Sequence, residues 1–205
     1  MNDITSYMLE QAKKILSIDS PTGFTAHAAE YVLGAYKKLG YDAKLTNKGG
    51  IFVCVNDGPD QADDPADAPI LLEAHMDTLG GMVCSINEKG RLMLSALGGM
   101  NPNNAEAENC KVYTKSGKVY DATFQLENAS VHVNGEYSDT KRTYETMEAI
   151  LDEPVKNKED VKKLGIMTGD FVCFDPRTVV TESGSRAVSL MINSALPFFS
   201  AMLNI

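Results

Sequence analysis

Pro69 to Val83, PILLEAHMDTLGGMV, constrains the fold of this chain more than any other stretch. Its apolar opening, Pro69 to Leu72, has no polar alternation, and a strand without a wet face belongs at the centre of a parallel sheet covered on both sides. The spacing therefore predicts a buried strand that hands its last side chains to a site, because ligands of open α/β sheets bind beyond the carboxyl ends of the strands. His75 and Asp77 fall at that end, and period-two alternation puts both on one side of an extended backbone. An imidazole that binds a metal through one nitrogen needs the other fixed, and a nearby carboxylate is a usual partner. His75 is thus the candidate metal ligand and Asp77 the candidate residue that orients it. A bare His-x-Asp is more often structural or superficial, so the surrounding sequence has to decide.

The chain before this stretch alternates helix and strand. Ile4, Tyr7, Met8, Ala12, Ile15 and Leu16 recur at helical spacing behind Asp3, which predicts a helix to about Ser17. Turn residues at Asp19 to Gly23 break it, and Thr25 caps a second helix through Ala29, Val32, Leu33, Tyr36 and Leu39, ended by Gly40. His27, in its first turn, reads as a surface or capping residue. Tyr41 to Thr46 and Ile51 to Val55 read as strands around a turn at Lys48 to Gly50. Asp57 to Ala68 holds five Asp and no large apolar residue; without the Gly and terminal Glu of a calcium loop it reads as a solvated connection.

From Gly81 to about Thr168 the texture changes to short alternating strands. Met82 to Asn87 and Arg91 to Ala96 flank Lys89-Gly90, while Cys110 to Lys115 and Val119 to Gln125 flank Ser116 to Lys118, which predicts two hairpins. Ser130 to Val133 reads as a further short strand carrying His132 on a surface edge. Thr143 to Leu151 suits helix or strand, and Asn157 to Leu164 a short helix capped by Asn157 and stopped by Gly165. Gly169 to Phe174 regains buried-strand character and marks the return of the first sheet, with Asp170 near His75 across the insertion; Thr178 to Glu182 follows as another strand.

Composition narrows the function classes. A net charge of -9 argues against a nucleic-acid partner, which would want clustered Lys and Arg. Cys54, Cys84, Cys110 and Cys173 form no C-x-x-C pair and no disulfide framework. Met1 to Ser20 is polar and amphipathic, with no secretory signal, and no stretch suits a membrane span, so a reducing cytoplasm is the expected address.

AHMDTLGGMV at Ala74 to Val83, SPTGFT at Ser20 to Thr25, KGGIFV at Lys48 to Val53, ALGGM at Ala96 to Met100 and LGIMTGDFVCFDPR at Leu164 to Arg177 together resemble the glutamyl and deblocking aminopeptidase family of cytosolic metallopeptidases. The resemblance implies an α/β fold: an α/β/α catalytic domain of the zinc-peptidase type, here residues 1–79 and 169–205, with a small β-barrel inserted at 80–168 for dimer contacts and access. It also implies two divalent metal ions, zinc or cobalt, that activate a bridging water to hydrolyse the N-terminal bond of peptide substrates. On this reading His75 is a metal ligand, Asp77 accepts its second N–H, and copies of the chain form a homo-oligomer through the insert, where strand edges pair or pack. A carboxypeptidase-like relative that also uses His-x-Asp would not bring LGGM or GDFVCFDPR along.

The family completes its site with a bridging Asp from an S-R-x-L-D-D-K strand end, a Glu-Glu pair, and a later Asp and His. None is identifiable after Arg186, so the chain as written is expected to be a truncated, inactive form; the alternative is a non-catalytic assembly or regulatory partner that keeps the insert. The codons suggest a source. Met191 is ATG and Ile192 begins AT, so the frame one nucleotide earlier must read GAT, Asp, at that junction. Permitted codons for Arg186 to Asn193 extend this to S-R-F-L-D-D-K, which predicts a frame-shifted tail, decided by sequencing the coding DNA through Ile205.

Overall fold

The computed structural model of the protein describes residues 3–54, 71–181 and 184–186. Its N-terminal part is two helices on a hairpin: α1 (Asp3–Leu16), α2 (Ala26–Lys38), β1 (Ala43–Leu45) and β2 (Ile51–Val53). Met8, Ala12, Ile15 and Leu16 share one helical face and pack with Val32, Tyr36, Ala43 and Ile51, so the apolar period read from the sequence becomes a small core. Thr25 stands at the start of α2 as expected, although its side chain makes no capping hydrogen bond. Gly40, at φ +93°, turns the chain out of the helix.

Of the strand expected at Pro69 to Leu72, only Leu71 and Leu72 are among the described residues, and neither is in a strand. Pro69 and Ile70 lie outside the described residues, as do the acidic run 57–68 and the tail 187–205. Leu71 to Asp77 has no regular secondary structure and joins no ladder, with Leu71 70% and Leu72 62% exposed. A buried parallel strand needs neighbours at both edges and helices on both faces, and no described strand stands beside this segment. Every described strand ladder is antiparallel, and the α/β/α layering is not seen among the described residues.

The largest element is a closed antiparallel barrel of β3 (Gly80–Ile86), β4 (Leu92–Leu97), β5 (Glu108–Tyr113), β6 (Val119–Leu126), β7 (Met147–Leu151) and β8 (Phe171–Phe174), in the order β3-β4-β7-β6-β5-β8. Ala122, Phe124 and Leu126 alternate inward along β6 and meet Leu94, Val112, Met147 and Val172 in one core. Both predicted hairpins are present. Thr143 to Leu151 resolves into a turn followed by β7, and α3 (Lys158–Leu164) is capped as read: Asn157 Oδ1 accepts from Asp160 N at 3.0 Å and Gly165 takes φ +89°. Phe171–Phe174, expected to resume the first sheet, instead closes the barrel between β3 and β5. An apolar run reads alike in a sheet centre and a barrel seam. Closure leaves no unpaired barrel edge, so the edge pairing expected of this unit has no free strand edge in the barrel to use. The last hairpin, β9 (Val179–Thr181) with β10 (Gly184–Arg186), is a separate two-stranded sheet in contact with α1.

Ser130 to Val133 is a turn and not a strand, because Val133 N and Asn134 N both bond back to Ser130 O; His132 is exposed on it. Arg142 fastens this excursion, donating to both carboxylate oxygens of Glu106 and to the Tyr137 and Thr140 carbonyls.

Glu148, on β7, is buried with its carboxylate 3.1 Å from Asn87 Nδ2 and 3.9 Å from Arg91 Nε. Burial pushes this carboxyl above its usual 4.5, against the pull of Asn87 and Arg91. A carboxyl whose folded pKa exceeds its unfolded one gives stability that is complete below the unfolded value and is lost as pH rises through the folded value. Glu148→Gln, uncharged throughout, is therefore expected to flatten the loss of unfolding free energy as pH rises from 4.5. Urea unfolding across that range checks this; an unchanged slope would contradict it.

Candidate functional site

Four residues after α1, the chain makes an arm, Ser20 to Gly23, that lies along the His75 segment. Pro21 and Thr78 form an isolated parallel bridge, and Thr78 N donates to Ser20 O at 2.8 Å. The buried Ser20 hydroxyl donates to Met76 O at 3.1 Å, and Thr22 Oγ1 donates to Asp77 Oδ2 at 2.6 Å. The arm in turn rests on the barrel. Phe24 packs its ring 4.9 Å from Tyr113 and 5.1 Å from Phe171, centroid to centroid. Just before the arm, Asp19 accepts from the Tyr113 hydroxyl and lies 3.6 Å from Lys111 Nζ. Burial, helped by the Asp19 contact, holds the Tyr113 phenol above its usual range.

His75 and Asp77 come together as the spacing required. His75 Nδ1 lies 3.0 Å from Asp77 O and 3.1 Å from Asp77 Oδ1. Both of those oxygens are acceptors, so Nδ1 carries the hydrogen and, in the neutral ring, the lone pair sits on Nε2. The two side chains are 37% and 36% exposed. A donor nitrogen of fixed tautomer on a half-exposed loop is what a metal ligand with its orienting carboxylate requires.

The other candidates do not join this pair. Asp170 sits in the turn before β8, where Oδ2 accepts from Met167 N at 2.8 Å, and its hydrogen bonds belong to the barrel. His27 is exposed at the start of α2 with its ring edge-on to Phe24, and His132 is on the exposed turn. Among the described residues no group of three or more His, Cys, Asp or Glu gathers as a metal-binding set. The His75–Asp77 pair fits one ligand position of a metal centre, and the described residues do not by themselves hold a metal pair. Thr22 and Ser20 are the functional candidates that sequence reasoning missed. The SPTGFT motif marked their neighbourhood, but a hydroxyl reaching a carboxylate 55 positions away leaves no local signal.

The family model for M42 glutamyl aminopeptidase matches residues 52–191. YhfE of Bacillus subtilis (strain 168), a candidate aminopeptidase, is 39% identical over 176 residues, covering 86% of this chain and 49% of that protein. Glutamyl aminopeptidase of Lactococcus lactis subsp. cremoris (strain MG1363) is 26% identical, covering 89% of this chain and 49% of its own length. The chain thus spans about half the length of these curated relatives. In fold, it matches the Pyrococcus horikoshii TET1 peptidase, which assembles into a tetrahedron or a large octahedral shell, with a TM-score of 0.74 at 19% identity, over 97% of this chain and 56% of that one.

Proposed function

The chain belongs to the M42 glutamyl aminopeptidase family, and on that premise we propose that it carries the first part of a metal-dependent aminopeptidase site, with His75 a ligand through Nε2 and Asp77 its orienting carboxylate. The observation that carries this reading is the pair of acceptors on His75 Nδ1. Zinc or cobalt, when bound, supplies the charge that polarises a peptide carbonyl and activates water. The chain's own residues hold the imidazole in one tautomer, on a side chain that is 37% exposed. Peptides with a free N-terminus are the substrate class.

Residues 1–79 and 169–205 belong on this reading to an α/β/α catalytic domain and 80–168 to an insert, whose barrel borrows Phe171–Phe174 as its last strand. Copies of the chain associate through the outer face of that barrel, and the protein works in the cytoplasm. Because one imidazole cannot hold two metals, and no metal-binding set gathers around it among the described residues, the 205-residue chain is inactive alone on this reading. A non-catalytic assembly partner is the second reading, favoured by a barrel that is complete beside a donor set that, among the described residues, is not. The test is to dialyse the purified chain against zinc or cobalt, remove free ions, and assay metal content and release of N-terminal residues. The first reading predicts metal that washes out and no hydrolysis; release of N-terminal residues would overturn the claim of inactivity, and one or two ions per chain retained after dialysis would exclude the assembly partner.

A further inference from the structure

Among the described residues the His75 segment has no sheet to hold it. Leu71 to Asp77 joins no ladder among the described residues, and the contacts that fix its carboxyl end come from the Ser20–Gly23 arm. Asp77 has both carboxylate oxygens engaged, Oδ1 by the imidazole and Oδ2 by the Thr22 hydroxyl. A carboxylate held at one oxygen only can rotate about its Cβ–Cγ bond, and it then loses its grip on the ring. We propose that Thr22 is the positioning residue of this site: its hydroxyl locks the Asp77 carboxylate, and through it the Nδ1–H tautomer of His75. The role rests on the reading of His75 as a ligand only for its purpose, since the lock itself needs no metal.

The arrangement is directional. Thr22 donates to Asp77 Oδ2, and His75 Nδ1–H faces both Asp77 Oδ1 and the Asp77 carbonyl, so every proton in the chain of hydrogen bonds points toward Asp77. Ser20 acts alongside, tying the Met76 carbonyl and so the backbone between ligand and orienter. Phe24, wedged on Tyr113 and Phe171, keeps the arm seated on the barrel. Thr22 itself is exposed, so its replacement opens no cavity.

The test is the tautomer ratio of His75 in the whole chain, read from imidazole 15N shifts, with chelator present and the ring neutral. The resonance is assigned by its disappearance in His75→Ala. The native chain is expected to show Nδ1–H as the dominant form. Thr22→Val and Thr22→Ala should each lower the Nδ1–H to Nε2–H ratio by at least about fivefold, the scale of losing one charge-assisted hydrogen bond in a half-exposed setting. Thr22→Ser should restore it, and barrel amide shifts should stay in place in all three. A native ratio in both hydroxyl-free variants would overturn the proposal, as would a ratio that Ser fails to restore. A shifted ratio in a chain whose His75 binds no metal upholds the lock and overturns only the ligand reading.

Discussion

Replacing Phe124 with Ala is expected to lower the unfolding free energy by about 3–5 kcal/mol. Its ring has no exposure and lies in the middle of β6, which pairs with β5 on one side and β7 on the other. Its centroid is 5.7 Å from that of Phe174, edge to face, and 6.4 Å from that of Tyr144, so one side chain bridges the barrel wall, its closing strand and the loop above. A closed barrel cannot slide a strand inward to fill the void, so the cavity persists and the cost stays near the upper end. Urea unfolding followed by far-ultraviolet circular dichroism measures it. A loss below about 1 kcal/mol would mean that the core does not depend on this residue.

Gly80→Ala is expected to be nearly as severe for a different reason, costing about 2–3 kcal/mol through overpacking. A Cβ built at Gly80 falls 2.6 Å from Pro21 Cβ and 2.9 Å from Val172 O. One neighbour is a rigid ring and the other a backbone carbonyl of the β8 seam, so neither yields by rotating a side chain. The arm must lift, and lifting Pro21 breaks its bridge to Thr78 and draws Thr22 away from Asp77. The variant should therefore lose the His75 Nδ1–H preference together with stability. Native stability with a native tautomer ratio would show that the arm does not rest where this account puts it.

The local features of the fold were legible because local chemistry decides them. Lys89-Gly90 between two alternating runs can hardly be anything but a hairpin turn, and Asn157 with Gly165 brackets α3 by capping rules alone. What the sequence hid were pairings between distant segments. Phe171–Phe174 has the same apolar character whether it enters a covered sheet or a barrel seam, and only its contacts with β3 and β5 settle the matter. Leu71 and Leu72 carry the pattern of a buried strand, yet burial is a property of the partners and not of the run. In the site, the His-x-Asp spacing fixed the two side chains toward each other through one bond's worth of geometry. The Thr22 contact depends on a loop folding back from the other side of α2 and the β1–β2 hairpin, which no spacing encodes.

The assignment of His75 as a ligand is open to a direct measurement on the chain as it stands, even though a single imidazole binds weakly. Cobalt(II), added stepwise to the 15N-labelled chain, broadens whichever ring nitrogen it meets first. His75 Nε2 is expected to respond ahead of the rings of His27 and His132, and the response to disappear in His75→Ala. A first response at His27 or His132, or an equal response at all three, would contradict it.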